Sequence, residues 1–159
     1  MFSNKKKVIL VISISSLIFF LNFNQDKSQE LRVVDGDTIH LNGEKIRFSG
    51  IDTPELKQTC INNAVKYSCG VTAKEILIKK IGVNKVLCIN EGKDQYKRTL
   101  AECFVNDKSL SSYLVRSGYA FAYRKYSKKF IKDEDYARIN RFGMWSMKFE
   151  YPWDFRRNN

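Results

Sequence analysis

The sequence predicts an α+β fold, mainly β: a five-stranded Greek-key barrel of the OB type with about three helices. Three observations carry this. Asn42-Gly43 sits between alternating apolar residues, the strongest short hairpin signal. A helical pattern at 71–81 separates the first strands from two later ones. Apolar residues make up 43% and charged residues 28% of 159 residues, which suits one globular domain with short appendages.

The elements follow in order. A two-residue turn at 42–43 pairs Leu41 with Glu44, Ile39 with Ile46 and Thr38 with Arg47, so Ile39, Leu41, Ile46 and Phe48 share the core face. Asp35-Gly36-Asp37 interrupts the first strand as a bulge or turn. Pro54 ends the third, because proline cannot continue a central ladder. The helix at 71–81 buries Ile76, Leu77 and Ile81, and Gly82 caps it. Strands are expected at 85–90 and 99–105. A helix at 110–117 stops at Gly118, and an extended piece covers 119–123. A last helix at 129–142 stops at Gly143, and the aromatic tail packs back onto the body.

The domain is placed at 31–155, between a linker at 25–30 and a basic tail at 156–159. Before it, Lys5, Lys6 and Lys7 precede an uncharged run from Val8 to Leu21. That run suits a signal-peptide core and is short for a spanning helix. Residues 1–24 are read as a signal peptide or an N-terminal membrane anchor, and either places the domain outside the cytoplasm.

The cysteines at 60, 69, 88 and 103 agree with export. No Cys-x-x-Cys pair exists and the lone His40 is remote, which argues against zinc. Cys88 and Cys103 lie symmetrically about the turn between two strands, where cross-strand neighbours approach to about 4.5–5.5 Å at Cβ. The expected disulfides are therefore Cys88–Cys103 and Cys60–Cys69.

Lys plus Arg number 28 against 17 Asp plus Glu. Residues 1–24 hold three of those bases and no acid, so the remainder keeps a surplus of +8. A bias of that size points to a polyanionic partner. Asp35, Asp37, Asp52 and Glu55 crowd into 21 residues around Arg47. Such a cluster is either a set of acidic turn residues or a site for a hard cation such as calcium. The simple hairpin register turns Asp37 away from Arg47, and only a bulge at 36–37 brings them together.

Residues 33–38 (VVDGDT), 46–55 (IRFSGIDTPE), 94–101 (DQYKRTLA), 114–120 (LVRSGYA) and 143–145 (GMW) occur in an order that resembles the thermonuclease, or staphylococcal nuclease-like, family, in an exported bacterial branch. The resemblance spans roughly 31–153. It implies a monomeric, calcium-dependent endonuclease that hydrolyses DNA or RNA at the 5′-oxygen bond and leaves 3′-phosphate ends. It also implies roles. Asp37 and Asp52 are carboxylate calcium ligands and Thr53 offers its backbone carbonyl. Arg47 and Arg98 hold the scissile phosphate, and Glu55 is the general base. Tyr96 and Tyr123 lie near the nucleotide pocket, where a ring can stack on a base.

One residue departs from the family pattern. Lys97 stands where glycine usually precedes the second arginine. A positive φ there would strain lysine or move Arg98; alternatively, Lys97 adds a phosphate contact. Basic residues 124, 125, 128, 129 and 132 interleave with Tyr123, Tyr126 and Phe130, as a nucleic-acid stripe or as a solvated surface. The alternative function is a non-catalytic nucleic-acid-binding module on the same barrel. The presence of Asp37, Arg47, Asp52, Glu55 and Arg98 together favours the enzyme.

Overall fold

The computed structural model describes residues 29–159. The expectation for residues 1–24, and residues 25–28 of the linker, lie outside the described residues. In chain order come β1 (Leu31–Val33), β2 (Thr38–Leu41), β3 (Glu44–Phe48), β4 (Ile51–Asp52), β5 (Cys60–Asn62), β6 (Val65–Tyr67) and helix α1 (Cys69–Ile81). Then follow β7 (Leu87–Lys93), β8 (Thr99–Val105), β9 (Lys108–Ser109), α2 (Leu110–Arg116), β10 (Phe121–Ala122) and α3 (Ile131–Ile139). A 3₁₀ turn (Gly143–Ser146) leads to α4 (Pro152–Asn158).

Asn42 and Gly43 both take positive φ, 51° and 83°, as a two-residue type I′ turn requires. The register across them is Leu41 with Glu44, Ile39 with Ile46 and Thr38 with Arg47. The sheet runs β1-β2-β3-β8-β7, with β9 on β8. β3 and β8 run parallel, the remaining pairs antiparallel. Between the two ends of this order, the Gln29 side-chain amide donates to the Val86 carbonyl at 2.7 Å and accepts from the Val86 N–H at 2.8 Å. A side chain thus stands in for a ladder pair between the starts of β1 and β7. The Glu30 backbone is tied to Asn42, its carbonyl accepting the Asn42 N–H and its N–H donating to Asn42 Oδ1. Both residues, assigned from sequence to the linker, belong to the barrel.

Ile39, Ile46 and Phe48 point into the core, against Leu77 and Ile81 of α1 and Leu110, Leu114 and Val115 of α2. A second cluster gathers Phe121 and Met144 with Trp145, Phe149, Tyr151 and Trp153, beside Cys60 and Cys69. The aromatic tail therefore builds its own small core. Cys60 is bonded to Cys69 and Cys88 to Cys103.

Several boundaries differ from the sequence expectation. β7 starts at Leu87 and continues to Lys93 through a bulge at 90–92. The last predicted helix is shorter, because Arg141 takes φ 55° and closes α3 early. The Phe142 N–H donates to the Ala137 carbonyl and the Arg141 N–H to the Arg138 carbonyl, the two bonds of a Schellman ending. The β5–β6 hairpin turns through Asn63 and Ala64, both at positive φ, without glycine to announce it.

Candidate active site

The chain breaks between β1 and β2 at Asp35-Gly36-Asp37. The N–H groups of Val34 and Asp35 both converge on the Thr38 carbonyl, and the Asp35 carboxylate accepts the Asp37 N–H. This kink turns Asp37 toward Arg47 on β3, against the simple register. Gly36 is needed here because a Cβ would lie 2.9 Å from the Thr53 side chain.

Arg47 bridges two buried carboxylates. Its Nη1 lies 2.5 Å from Asp37 Oδ1 and its Nη2 2.8 Å from Asp52 Oδ1. Asp37 and Asp52 are 2% and 0% exposed. Thr53 donates both its N–H (3.1 Å) and its hydroxyl (3.0 Å) to Asp37 Oδ2, and the Thr38 hydroxyl donates to Oδ1. Asp52 is fixed in turn because β4 pairs with β10, Asp52 opposite Phe121.

Glu55 sits on the loop after β4. The Gln58 side chain accepts the Glu55 N–H, its backbone N–H donates to the Glu55 carbonyl, and its amide nitrogen donates to the Glu150 carbonyl. Gly70, at the start of α1, lets the Glu55 backbone pass: a Cβ there would fall 1.9 Å from the Glu55 carbonyl oxygen. The Cys60–Cys69 bond ties the end of this loop to the same point on α1. Gln58 and Gly70 belong to no motif singled out in the sequence, and burial alone reveals them.

Arg98 is placed by a turn organised by Asp94. One Asp94 oxygen accepts the N–H groups of Tyr96 and Arg98, and the other accepts Arg98 Nε at 2.6 Å. Lys97 takes φ 63°, the left-handed conformation that glycine would adopt freely. The guanidinium keeps its place beside Tyr96, 5.5 Å from the ring centroid.

Arg47, Glu55, Arg98, Tyr96, Tyr123 and Arg156 help to line one open cleft of about 910 Å³, whereas Asp37, Asp52 and Thr53 are buried and take no part in its lining. Tyr96 is well exposed, whereas Tyr123 stacks on Trp153 at 5.9 Å with a 2° interplanar angle. Arg156 is placed by the sequence in a basic tail. It instead projects from α4 into the site: Nη2 lies 2.7 Å from Asp52 Oδ2, and Nη1 lies 2.7 Å from Glu55 Oε1. The basic residues of the stripe at 124–132 are exposed, but two of them are committed to internal ion pairs. Arg124 pairs with buried Glu134, Lys129 with Glu102, and Phe130 lies in the core.

The charges are crowded. Burial raises the Asp37 carboxyl above its ordinary value although Arg47 opposes the shift. Burial also raises Asp52, with Asp37 adding to the shift and Arg156 and Arg47 opposing it. Burial works against charge on Arg156, yet Asp52 and Glu55 hold its guanidinium well above the usual value. Among the described residues no three His, Cys, Asp or Glu side chains gather as a metal cluster. Any cation here would rely on two carboxylates and backbone oxygen.

The model of the staphylococcal nuclease homologue family matches residues 45–147, more than half of the chain. The chain belongs to this family. Staphylococcal-like nuclease CAN1 of Arabidopsis thaliana is 34% identical over 119 residues, covering 72% of this chain and 33% of that protein. The SPbeta prophage-derived endonuclease YokF of Bacillus subtilis is 33% identical over 128 residues, covering 72% of this chain and 42% of that protein. The succinoglycan biosynthesis protein ExoI of Rhizobium meliloti is 29% identical over 123 residues, covering 75% and 64%. The chain therefore spans less than two thirds of the length of each of these relatives. In this staphylococcal nuclease homologue, Arg47, Asp52, Glu55 and Arg98 fall inside the matched residues, while Asp37 precedes them and Arg156 follows them.

Proposed function

We propose that this staphylococcal nuclease homologue is an exported endonuclease that hydrolyses phosphodiester bonds of DNA or RNA. Two relatives are named as a nuclease and an endonuclease. The observation that carries the reading is the convergence of Arg47, Arg98 and Glu55 on one cleft, beside the Asp37–Asp52 pair. A scissile phosphate in this cleft meets two guanidinium groups, which stay charged at any working pH and fork onto two oxygens. In-line attack builds negative charge on the equatorial oxygens, and donors held in place beforehand stabilise that charge. Glu55 is exposed enough to receive a proton from the attacking water.

The donor chemistry fits calcium. Asp37 and Asp52 offer carboxylate oxygens of the kind that hard cations take, and burial keeps the proton affinity of both raised even with Arg47 on the pair and Arg156 on Asp52. Asp37, Asp52 and the Thr53 carbonyl would hold the ion. Bound there, calcium supplies charge neutralisation and orients water. The bond broken is that to the 5′ oxygen, leaving 3′-phosphate ends. All the side chains invoked come from one chain, so the reading needs no second copy. Two disulfides support an oxidising compartment outside the cytoplasm.

Product-end analysis tests this reading. DNA and RNA are incubated with the purified protein in calcium or in chelator. Fragments with 3′-phosphate ends, formed only in calcium, are expected. Binding without fragments would favour the non-catalytic module.

A further inference from the structure

We infer that Arg156 is a positioning residue for Glu55, so that the C-terminal helix α4 completes the active site. The inference rests on the nuclease reading.

Arg156 Nη1 reaches both Glu55 Oε1 at 2.7 Å and Asp52 Oδ1 at 3.2 Å, while Nη2 holds Asp52 Oδ2 at 2.7 Å. One planar guanidinium therefore fixes the more exposed Glu55 carboxylate against the fully buried Asp52. Glu55 has no other side-chain ion partner among the described residues. Its loop is held through its backbone by Gln58, which leaves the carboxylate itself to be aimed by Arg156. A general base must lie within hydrogen-bond reach of the water it deprotonates, and small misplacements cost rate steeply.

The helix that carries Arg156 is anchored. Trp153 lies between Tyr151, at 4.6 Å and 10°, and cleft-lining Tyr123, at 5.9 Å and 2°. Pro152 is buried at the first position of α4, and Gln58 holds the Glu150 carbonyl just before it. The same strap therefore touches the Glu55 loop, the Tyr123 ring and the Asp52–Glu55 pair. Deleting the last residues is expected to remove a working part of the site, not a tail.

The test compares Arg156→Ala, Arg156→Lys, Arg47→Ala and Glu55→Gln in the full chain, in saturating calcium, by steady-state and single-turnover cleavage. Arg156→Ala is expected to lower kcat about tenfold to a hundredfold with KM nearly unchanged, and Arg156→Lys to recover part of the loss. In the Glu55→Gln background, Arg156→Ala should have little further effect, because both act through one group. Far-ultraviolet and aromatic circular dichroism check that the variants keep the fold. If Arg156→Ala cleaves as fast as wild type or faster while Arg47→Ala is impaired, the inference fails and the nuclease reading stands. Losses that add fully in the double variant also overturn it. If wild type does not cleave, the nuclease reading itself fails.

Discussion

Arg47 holds Asp37 and Asp52 on its two terminal nitrogens, at 2.5 and 2.8 Å, so one guanidinium joins two acids that lie 15 positions apart in sequence. Removing it leaves two buried carboxylates without that shared counter-charge. It also removes from the cleft a guanidinium that the proposed reading places on the scissile phosphate. Arg47→Ala and Arg98→Ala are each expected to slow cleavage by about 10²–10³, roughly 3–4 kcal/mol. Nucleic-acid binding should change much less, because a long substrate is held by many phosphate contacts. Single-turnover rates measured beside a binding titration check the split.

The raised proton affinities of Asp37 and Asp52 predict a pH dependence with a definite sign. Both lie above the 3.8 of an ordinary aspartate in the folded protein. The native state therefore binds these protons more tightly than the unfolded chain does. Their contribution favours folding at low pH and is lost as pH rises from about 3.8 through the raised values. In calcium-free urea titrations, wild type should lose stability relative to Asp37→Asn across that window, and the difference between them should stay constant above it. Protons also compete with the cation, so calcium affinity measured by calorimetry should weaken on acidification from a higher pH than isolated aspartates would give. A wild type that gains stability relative to Asp37→Asn with rising pH contradicts the sign.

Lys97 at φ 63° occupies a conformation that disfavours L side chains by about 1 kcal/mol or more. Lys97→Gly should raise the unfolding midpoint by an amount equivalent to about 1 kcal/mol, reduced somewhat by glycine's freedom in the unfolded chain. Asp94 already fixes the Arg98 turn through three hydrogen bonds, so cleavage should not fall. Thermal melts and initial rates on the same preparation decide this. A large loss of rate in Lys97→Gly would instead make Lys97 a phosphate contact.

The two disulfides should have different consequences. Cys88–Cys103 joins paired strands across a separation of 15 residues, away from the cleft, and its loss should cost about 3 kcal/mol of stability with turnover per folded molecule intact. Cys60–Cys69 tethers the chain that follows the Glu55 loop to the start of α1. Replacing it with a serine pair should lower kcat as well as stability. Paired denaturation and kinetic measurements on the two double variants test the contrast.

Much of this arrangement is legible in sequence because local chemistry dictates it. Asn42-Gly43 imposes the hairpin register, and the strand symmetry of Cys88 and Cys103 makes them partners. Arg47, Glu55, Arg98, Tyr96 and Tyr123, named from sequence, do share one cleft. The contact of Asp37 with Arg47 was not legible, because it depends on the kink at 35–37, which is set by Thr38 accepting two N–H groups. Arg156 was missed for a different reason. It lies 104 residues from Asp52, beyond the matched motifs, in a helix whose position is set by the stacking of Trp153 between two tyrosines. Periodicity carries no information about such long-range docking. Gln58 was silent too, since a buried glutamine inside a loop has no pattern to mark it.

The central claim is that Arg47, Arg98 and Glu55 act on one phosphate, and it is tested most directly by single-turnover cleavage of a defined oligonucleotide in calcium by the three alanine variants and wild type. Wild type should produce 3′-phosphate fragments, and each variant should be slower by about two orders of magnitude or more while still binding the oligonucleotide. Three variants that cleave at the wild-type rate would contradict the assignment.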